Sequence, residues 1–450
     1  MKLARAMRVR EVTGALVVVA AVASGCDAIV GVTDVSFVGG GVDGGTGTGR
    51  DAGKRADAGK DATTGSGSGS GSATGSGSGS SDGSATDSGN NSGEASCGSA
   101  TGDWPCPAGS PATATVPHNF AVHRLYFGDT DPTPSFTADP NAWKSIGFNL
   151  DGLVTTAGST DVCTPHAQGL TSQQVDGNGG IDNAFAGLVN NVLSLLIPSL
   201  SSTVSQNLAI GMFTLEIDTV GLSDTPSTQT STSVTGQVFP GASYTATGGV
   251  PAITGVAPDT SWALGDNWPV NGALLSSVTP PLTSNIRFPK AYITNGTWVS
   301  GIPITVTLTL PIKGLSLVVN VHAAITAMPI TIDAEGQYHT RRAMIGGVIE
   351  TSEIVASVSQ VAAAVNGCGI VGGILGKIEG YSDIVIDTSS GAVSNPAGTP
   401  CNGISIGFAF DADEIAQPST VAAPVDAGAA VAPCPSSGGD AGPRDGGSPG

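Results

Sequence analysis

The sequence predicts a mainly β domain, built as antiparallel, sandwich-like sheets with two covering helices and flanked by a disordered tether and tail. Three observations carry this. Segments rich in β-branched and aromatic residues, several with period-two alternation, recur between Gly, Pro, Asn and Asp punctuation. Threonine alternates with Ile, Val and Leu across residues 304–310, the pattern of a strand with one buried and one wet face. The strand–helix alternation that a doubly wound sheet needs is missing.

In chain order, residues 118–127 and 145–150 read as the first strands. Asp182 can cap a helix whose Phe185, Leu188, Val189, Val192, Leu195 and Leu196 share one broad face until Pro198 stops it. Strands are expected at 211–220, 233–239, 292–310 and 315–327, the last two meeting in a hairpin across Pro311 to Gly314. A second helix is expected from about Glu350 to Asn366, apolar at Ile354, Val355, Val358, Val361, Ala362 and Val365, with Gly367 as its cap. Both helices are expected to cover a sheet face, the packed-layer arrangement of antiparallel sheets.

The flanks differ in composition. Lys2, Arg5, Arg8 and Arg10 precede an uncharged run, and Ala23-Ser24-Gly25-Cys26 closes it, the order of a secretory signal spanning 1–25. The apolar run falls short of the roughly 20 residues of a spanning helix. Cys26 is therefore read as a lipidation site, where two or three fatty chains hold a protein to a membrane stably. Residues 26–96 follow as a tether, with Gly-Ser alternation that cannot repay its ordering entropy. A globular region, one domain or two subdomains, is expected over 97–416, and a low-complexity tail over 417–450. The expected location is the cell envelope, outside the cytoplasm, with the choice between inner and outer membrane left open.

The remaining six cysteines, Cys97, Cys106, Cys163, Cys368, Cys401 and Cys434, suit an oxidising compartment and up to three disulfides among 15 connectivities. Zinc is not expected, since no C-x-x-C or clustered histidine accompanies them. The whole chain carries 17 basic and 36 acidic residues, a net charge of −19, which disfavours nucleic acid and anionic membrane surfaces as partners.

One loop suggests a metal. Asp176, Asn178 and Asp182 sit at positions 1, 3 and 7 of a glycine-rich turn, and their oxygens could converge on Ca2+. The EF-hand analogy stops there, because positions six and twelve hold Ile181 and Gly187. The alternative is a simple turn feeding a helix start. Acidic turns at Asp129 to Asp131 and Asp151-Gly152 could supplement the loop. Gly367 to Gly372 matches G-x-G-x-x-G but follows a helix and contains a cysteine. Gly403-Ile404-Ser405-Ile406-Gly407 matches G-x-S-x-G, yet its alternation continues through Phe408 and Phe410 as a strand. His118 and His123 are five apart and face opposite sides of a regular strand, and His322 reads as a satisfied sheet residue. His339 with Arg341 and Arg342 reads as a solvated turn or as a basic cluster for an acidic neighbour or ligand.

A resemblance rests on the signal with Cys26, the Gly/Ser tether, Phe127 to Asp131, Trp143 to Gly152, and Asp176 to Phe185 reading D-G-x-x-G-I-D-N-A-F. The chain resembles, over roughly 116–416, a group of secreted lipoproteins of myxobacteria and their relatives. The resemblance implies lipoprotein status and one continuous globular region, and it implies no activity and no catalytic residues. Two function classes follow. One is a noncatalytic binding or structural surface module for a glycan, an envelope component or a protein, with Trp262 and Trp268 as the ligand platform. The other is a secreted hydrolase with an acidic, calcium-supported site, although no base–nucleophile arrangement is visible.

Overall fold

A computed structural model describes residues 104–166, 174–195, 199–242, 261–312, 315–364, 368–422 and 434. The signal sequence, Cys26, the tether, Cys97 and most of the tail lie outside the described residues.

The expected sandwich is replaced by a closed barrel. Its strands are β1 (Pro117–Tyr126), β2 (Thr214–Val220), β3 (Ser231–Gly241), β4 (Ile286–Thr294), β5 (Thr297–Val299), β6 (Leu315–Ile332), β7 (Tyr338–Glu350) and β8 (Gly403–Ile415). Each pairs antiparallel with the next, and β8 pairs back onto β1 from Ala409↔Tyr126 to Ile415↔Asn119. Alternation reports one dry face and one second face, and that is true of a sandwich and a barrel alike. Whether the first strand finds the last is a long-range fact that no local pattern contains.

The fold also contains more helices than the two that the sequence predicts. Among the described residues there are four: α1 (Ala184–Asn191), α2 (Leu200–Ala209), α3 (Thr351–Ala364) and α4 (Cys368–Glu379). The glycines of α4 concealed it, because glycine weakens helix propensity while packing overrides it. α1 is shorter than expected, giving way to a 3-10 turn at Leu193–Leu195, and Asn183 rather than Asp182 is its cap. Residues 145–150 form no strand and make one bridge, Phe148↔Asp182. The hairpin stands as expected, with Ile304–Ile312 paired to β6 and Ile312 opposite Leu315.

An eight-stranded ring is just wide enough for side chains to fill. Trp298, Phe120, Phe408 and Phe410 are fully buried in the main core. A Cβ at Gly236 would stand 2.6 Å from the Trp298 ring, so glycine there makes room for the indole. Phe185, Leu188, Leu200, Val204 and Leu208 join the same core from α1 and α2.

The ring is splayed at two places, where β1 runs on beyond β2 and where the first half of β8 lies beyond β1, and side chains take over the ladder there. Beyond the pairing with β2, Leu125 N–H of β1 donates to Ser205 Oγ (3.0 Å), and the N–H of Phe127, just past the strand, donates to Ser201 Oγ (2.8 Å), both on α2. On β8, Asp383 accepts the Ser405 N–H (2.8 Å) and Asn183 accepts the Gly407 N–H (3.0 Å). Buried backbone donors are thereby satisfied without a neighbouring strand.

Two disulfides are described, Cys163–Cys401 and Cys368–Cys434, and Cys106 is bonded to a cysteine outside the described residues. The ordered chain continues past 416, where Val421–Ala422 pairs with Val270–Asn271. Among the described residues no helix is long and apolar enough to cross a membrane.

Candidate functional site

Two β-bulges face each other across Asp411. The ladder runs from Val122↔Ala412 to Arg124↔Asp411 on one side, so His123 and Arg124 oppose one residue. On the other it runs from Thr340↔Ala412 to Ala343↔Phe410, so Arg341 and Arg342 do the same. A bulge re-aims side chains and frees backbone groups. Asp411 serves both sides, accepting from Arg342 N–H (3.0 Å), Tyr126 Oη (3.0 Å) and Arg124 Nη1 (3.4 Å). Three arginines and a histidine are thus concentrated on an otherwise acidic chain.

A cavity of about 320 Å³ opens beside these bulges, lined by His123, Arg124, Phe136, Ser205, Gln206, Ala209, Trp262, Arg341 and Asp413. Trp262 lies nearly parallel to Trp268, with ring centroids 5.1 Å apart and 9° between planes. Of the two expected platform residues, Trp262 lines the cavity, while Trp268 is buried behind it and anchored by Nε1–H to the Ala242 carbonyl (2.7 Å). The His123 ring is a second neighbour of the Trp262 ring, with centroids 5.6 Å apart.

Asp413 organises the charges. His339 Nδ1 lies 2.7 Å, Arg341 Nη1 2.5 Å and His123 Nε2 3.2 Å from its carboxylate. Burial opposes its charge, but the hydrogen bonds and positive charge of these neighbours outweigh burial and hold the carboxyl below the usual range. His339 bridges onward to Asp333 at 2.9 Å, and although burial disfavours its cation, the two carboxylates raise its pKa. The basic cluster at 339–342 therefore sits on strand β7 and meets acidic neighbours within the fold. Arg124 and Arg341 both keep exposed side-chain surface, 32% and 45%, and Arg341 Nη1 also donates to the Thr340 and Ala412 carbonyls (2.9 Å each).

Among the described residues that line the cavity, no nucleophile is paired to a base. The Ser205 hydroxyl donates to the Leu125 carbonyl (3.1 Å) while accepting the Leu125 N–H. Ser405, the serine of G-x-S-x-G, is fully buried on β8, donates to Asp383 (2.5 Å) and accepts the Ala184 N–H (2.9 Å). His118 on β1 is bonded to Glu414 on β8 (2.7 Å), and His322 on β6 is bonded to Glu353 at the start of α3 (3.1 Å).

The Asp176 loop forms a separate cluster. Gly177 N–H reaches the Ile181 carbonyl (2.8 Å), closing a tight turn, and Asp182 accepts the Leu150 N–H (2.6 Å). Asp176 and Asp182 are brought together with Asp151 and Asp383, whereas Asn178 is exposed and its N–H is taken by the Lys144 carbonyl (2.8 Å). Burial, followed by the charges of Asp151, Asp176 and Asp383, pushes Asp182 well above its ordinary pKa. Burial also raises Asp176 to about 7, with Asp151 adding to it, and raises Asp383 to about 7 against the hydrogen bonds from Ser405. Among the described residues, no three or more His, Cys, Asp or Glu side chains are gathered to hold a metal ion.

The one cue in the sequence to the cavity was the Arg341-Arg342 pair together with Trp262. His123, Arg124 and Asp413 carried no signal, because β1 and β8 lie at opposite ends of the domain. The chain matches no protein family, no curated protein and no solved structure.

Proposed function

We propose that this chain is a noncatalytic, lipid-anchored module of the cell envelope that binds an acidic glycan fragment in the Trp262 cavity. The observation that carries the reading is the Trp262–Trp268 stack set beside Arg124 and Arg341 at the paired bulges. A tryptophan face offers an apolar surface for a sugar ring, and guanidinium groups recognise carboxylate in a fork geometry. The cavity volume lies at the lower end of the small-ligand range. A hydrolase would need an activated nucleophile, and the hydroxyl that lines the cavity is committed to the β1 backbone.

Titration with neutral and acidic oligosaccharides, followed by tryptophan fluorescence, tests this. Acidic sugars are expected to change the emission, Trp262→Ala to weaken binding at least about tenfold, the loss of ~1.4 kcal/mol, and Arg124→Ala to remove the preference for acidic over neutral sugars. Unaltered affinity in Trp262→Ala would show that the ligand sits elsewhere.

The anchor rests on Ala23-Ser24-Gly25-Cys26, and the paired cysteines of the domain suit the same oxidising compartment. Metabolic labelling is expected to place fatty acid on the wild-type chain and not on Cys26→Ser. Equal labelling of both would remove the anchor from the proposal.

A further inference from the structure

The outer face of β1 and β2 carries an acidic group that neither the cavity nor the Asp176 cluster uses. Asn119 stands directly opposite Asp218 in the β1–β2 register, and Glu216 lies two residues along the same face of β2. Residues directly opposite across a ladder have Cβ atoms about 5 Å apart, so the three side chains share one small region. All three are buried, Asn119 and Glu216 completely and Asp218 to within 4%.

Three oxygens there have no hydrogen-bond partner: Asn119 Oδ1, Glu216 Oε1 and Asp218 Oδ1. The other half of each group is bonded. Asn119 Nδ2 donates to Glu216 Oε2 (2.6 Å) and to the Ala416 carbonyl (3.0 Å), Gln237 Nε2 donates to Asp218 Oδ2 (2.9 Å), and the Gln417 side chain is a second hydrogen-bond partner of the Asp218 carboxylate. Burying one unpaired oxygen costs about 1–3 kcal/mol, and burying two neighbouring carboxylates without compensation costs far more. Among the described residues, the basic side chain acting on Asp218 is His118, which is bonded to Glu414 at 2.7 Å.

We propose that Asn119, Glu216 and Asp218 form a binding site for one hard divalent cation of the calcium class. Two carboxylates match the charge of one divalent ion, and an amide oxygen is an ordinary third ligand for it. Calcium takes six to eight oxygens, so waters and a carbonyl complete the shell. The set has two acids and one amide, which distinguishes it from a site of three acidic side chains. A bound ion would stitch β1 to β2 beneath the 416–422 segment, whose Ala416 carbonyl already bonds Asn119.

The test is titration of chelator-treated full-length mature protein with calcium, read by melting temperature and by equilibrium dialysis. Wild type and Asp176→Asn are both expected to bind one ion and to melt at least ~3 °C higher at millimolar calcium. Glu216→Gln and Asp218→Asn, each checked for native circular dichroism, are expected to lose the ion and the shift. If either variant fails to fold, the other and the wild-type stoichiometry decide. Absence of bound calcium in wild type overturns the site, as does binding that survives in a folded Glu216→Gln or Asp218→Asn. Binding lost in Asp176→Asn instead would place the ion in the other acidic cluster and overturn this assignment.

Discussion

Replacing Cys163 and Cys401 together by serine is expected to lower the unfolding free energy by about 5 kcal/mol. The bond joins positions 238 residues apart, and on the chain-entropy account a loop of that length constrains the unfolded ensemble by about that amount. Its surroundings add to the effect. Both cysteines are buried, Gln174 Nε2 donates to the Cys163 carbonyl (3.2 Å), and Cys401 N–H donates to the Thr164 carbonyl (3.0 Å), so the bridge fastens the segment around 163 to the approach to β8. Denaturant unfolding without reductant measures it. A loss below about 1 kcal/mol would mean that the native contacts alone hold the segment in place.

The second large effect is on pH. The folded Asp383 carboxyl titrates at about 7, above its ordinary 3.8, because it is buried and faces Asp176 and Asp151. A raised carboxyl pKa means that the folded state holds a proton that the unfolded state has released. The associated stability is complete below about pH 4 and is lost as pH rises through about 7. For Asp383 alone the span is about 4 kcal/mol. In chelator, wild type is therefore expected to become less stable from pH 4 to 8, and Asp383→Asn to flatten part of that slope while keeping an acceptor for the Ser405 N–H. A slope of the opposite sign would show carboxylates held in their charged form, as the calcium expectation for Asp176, Asn178 and Asp182 requires.

Local physics was legible in the sequence and assembly was not. The 304–312 hairpin strand, the α3 helix and the strand through Ser405 follow from alternation, helical periodicity and turn residues. α2 escaped because Ser201, Ser202, Thr203, Ser205 and Gln206 give it a weak apolar face. Its serines act instead as hydrogen-bond partners for β1, a role that depends on where the barrel opens. Asp182 and Asn183 illustrate the same limit. Spacing suggested a metal ligand or helix cap, while the fold uses Asp182 for the backbone at Leu150 and Asn183 for the cap and the open edge at Gly407. The bulges at His123 and Arg341 were invisible because a bulge is defined only against the neighbouring strand. Trp262 is singled out by the sequence and lines the cavity, but the arginines beside it come together only through the pairings of β8 with both β1 and β7.

The seam between β1 and β8 also determines the order in which the molecule can assemble. It brings His118 to Glu414 across 296 positions, giving the barrel a high contact order. Hairpins around the ring can form as their strands become available, but the join has to wait for the last strand. Until then β1 and β7 each present an unpaired edge open to other chains. A chain ending just before β8 is consequently an open ribbon with two adhesive borders, and completion of that final strand is what converts it into a molecule without them.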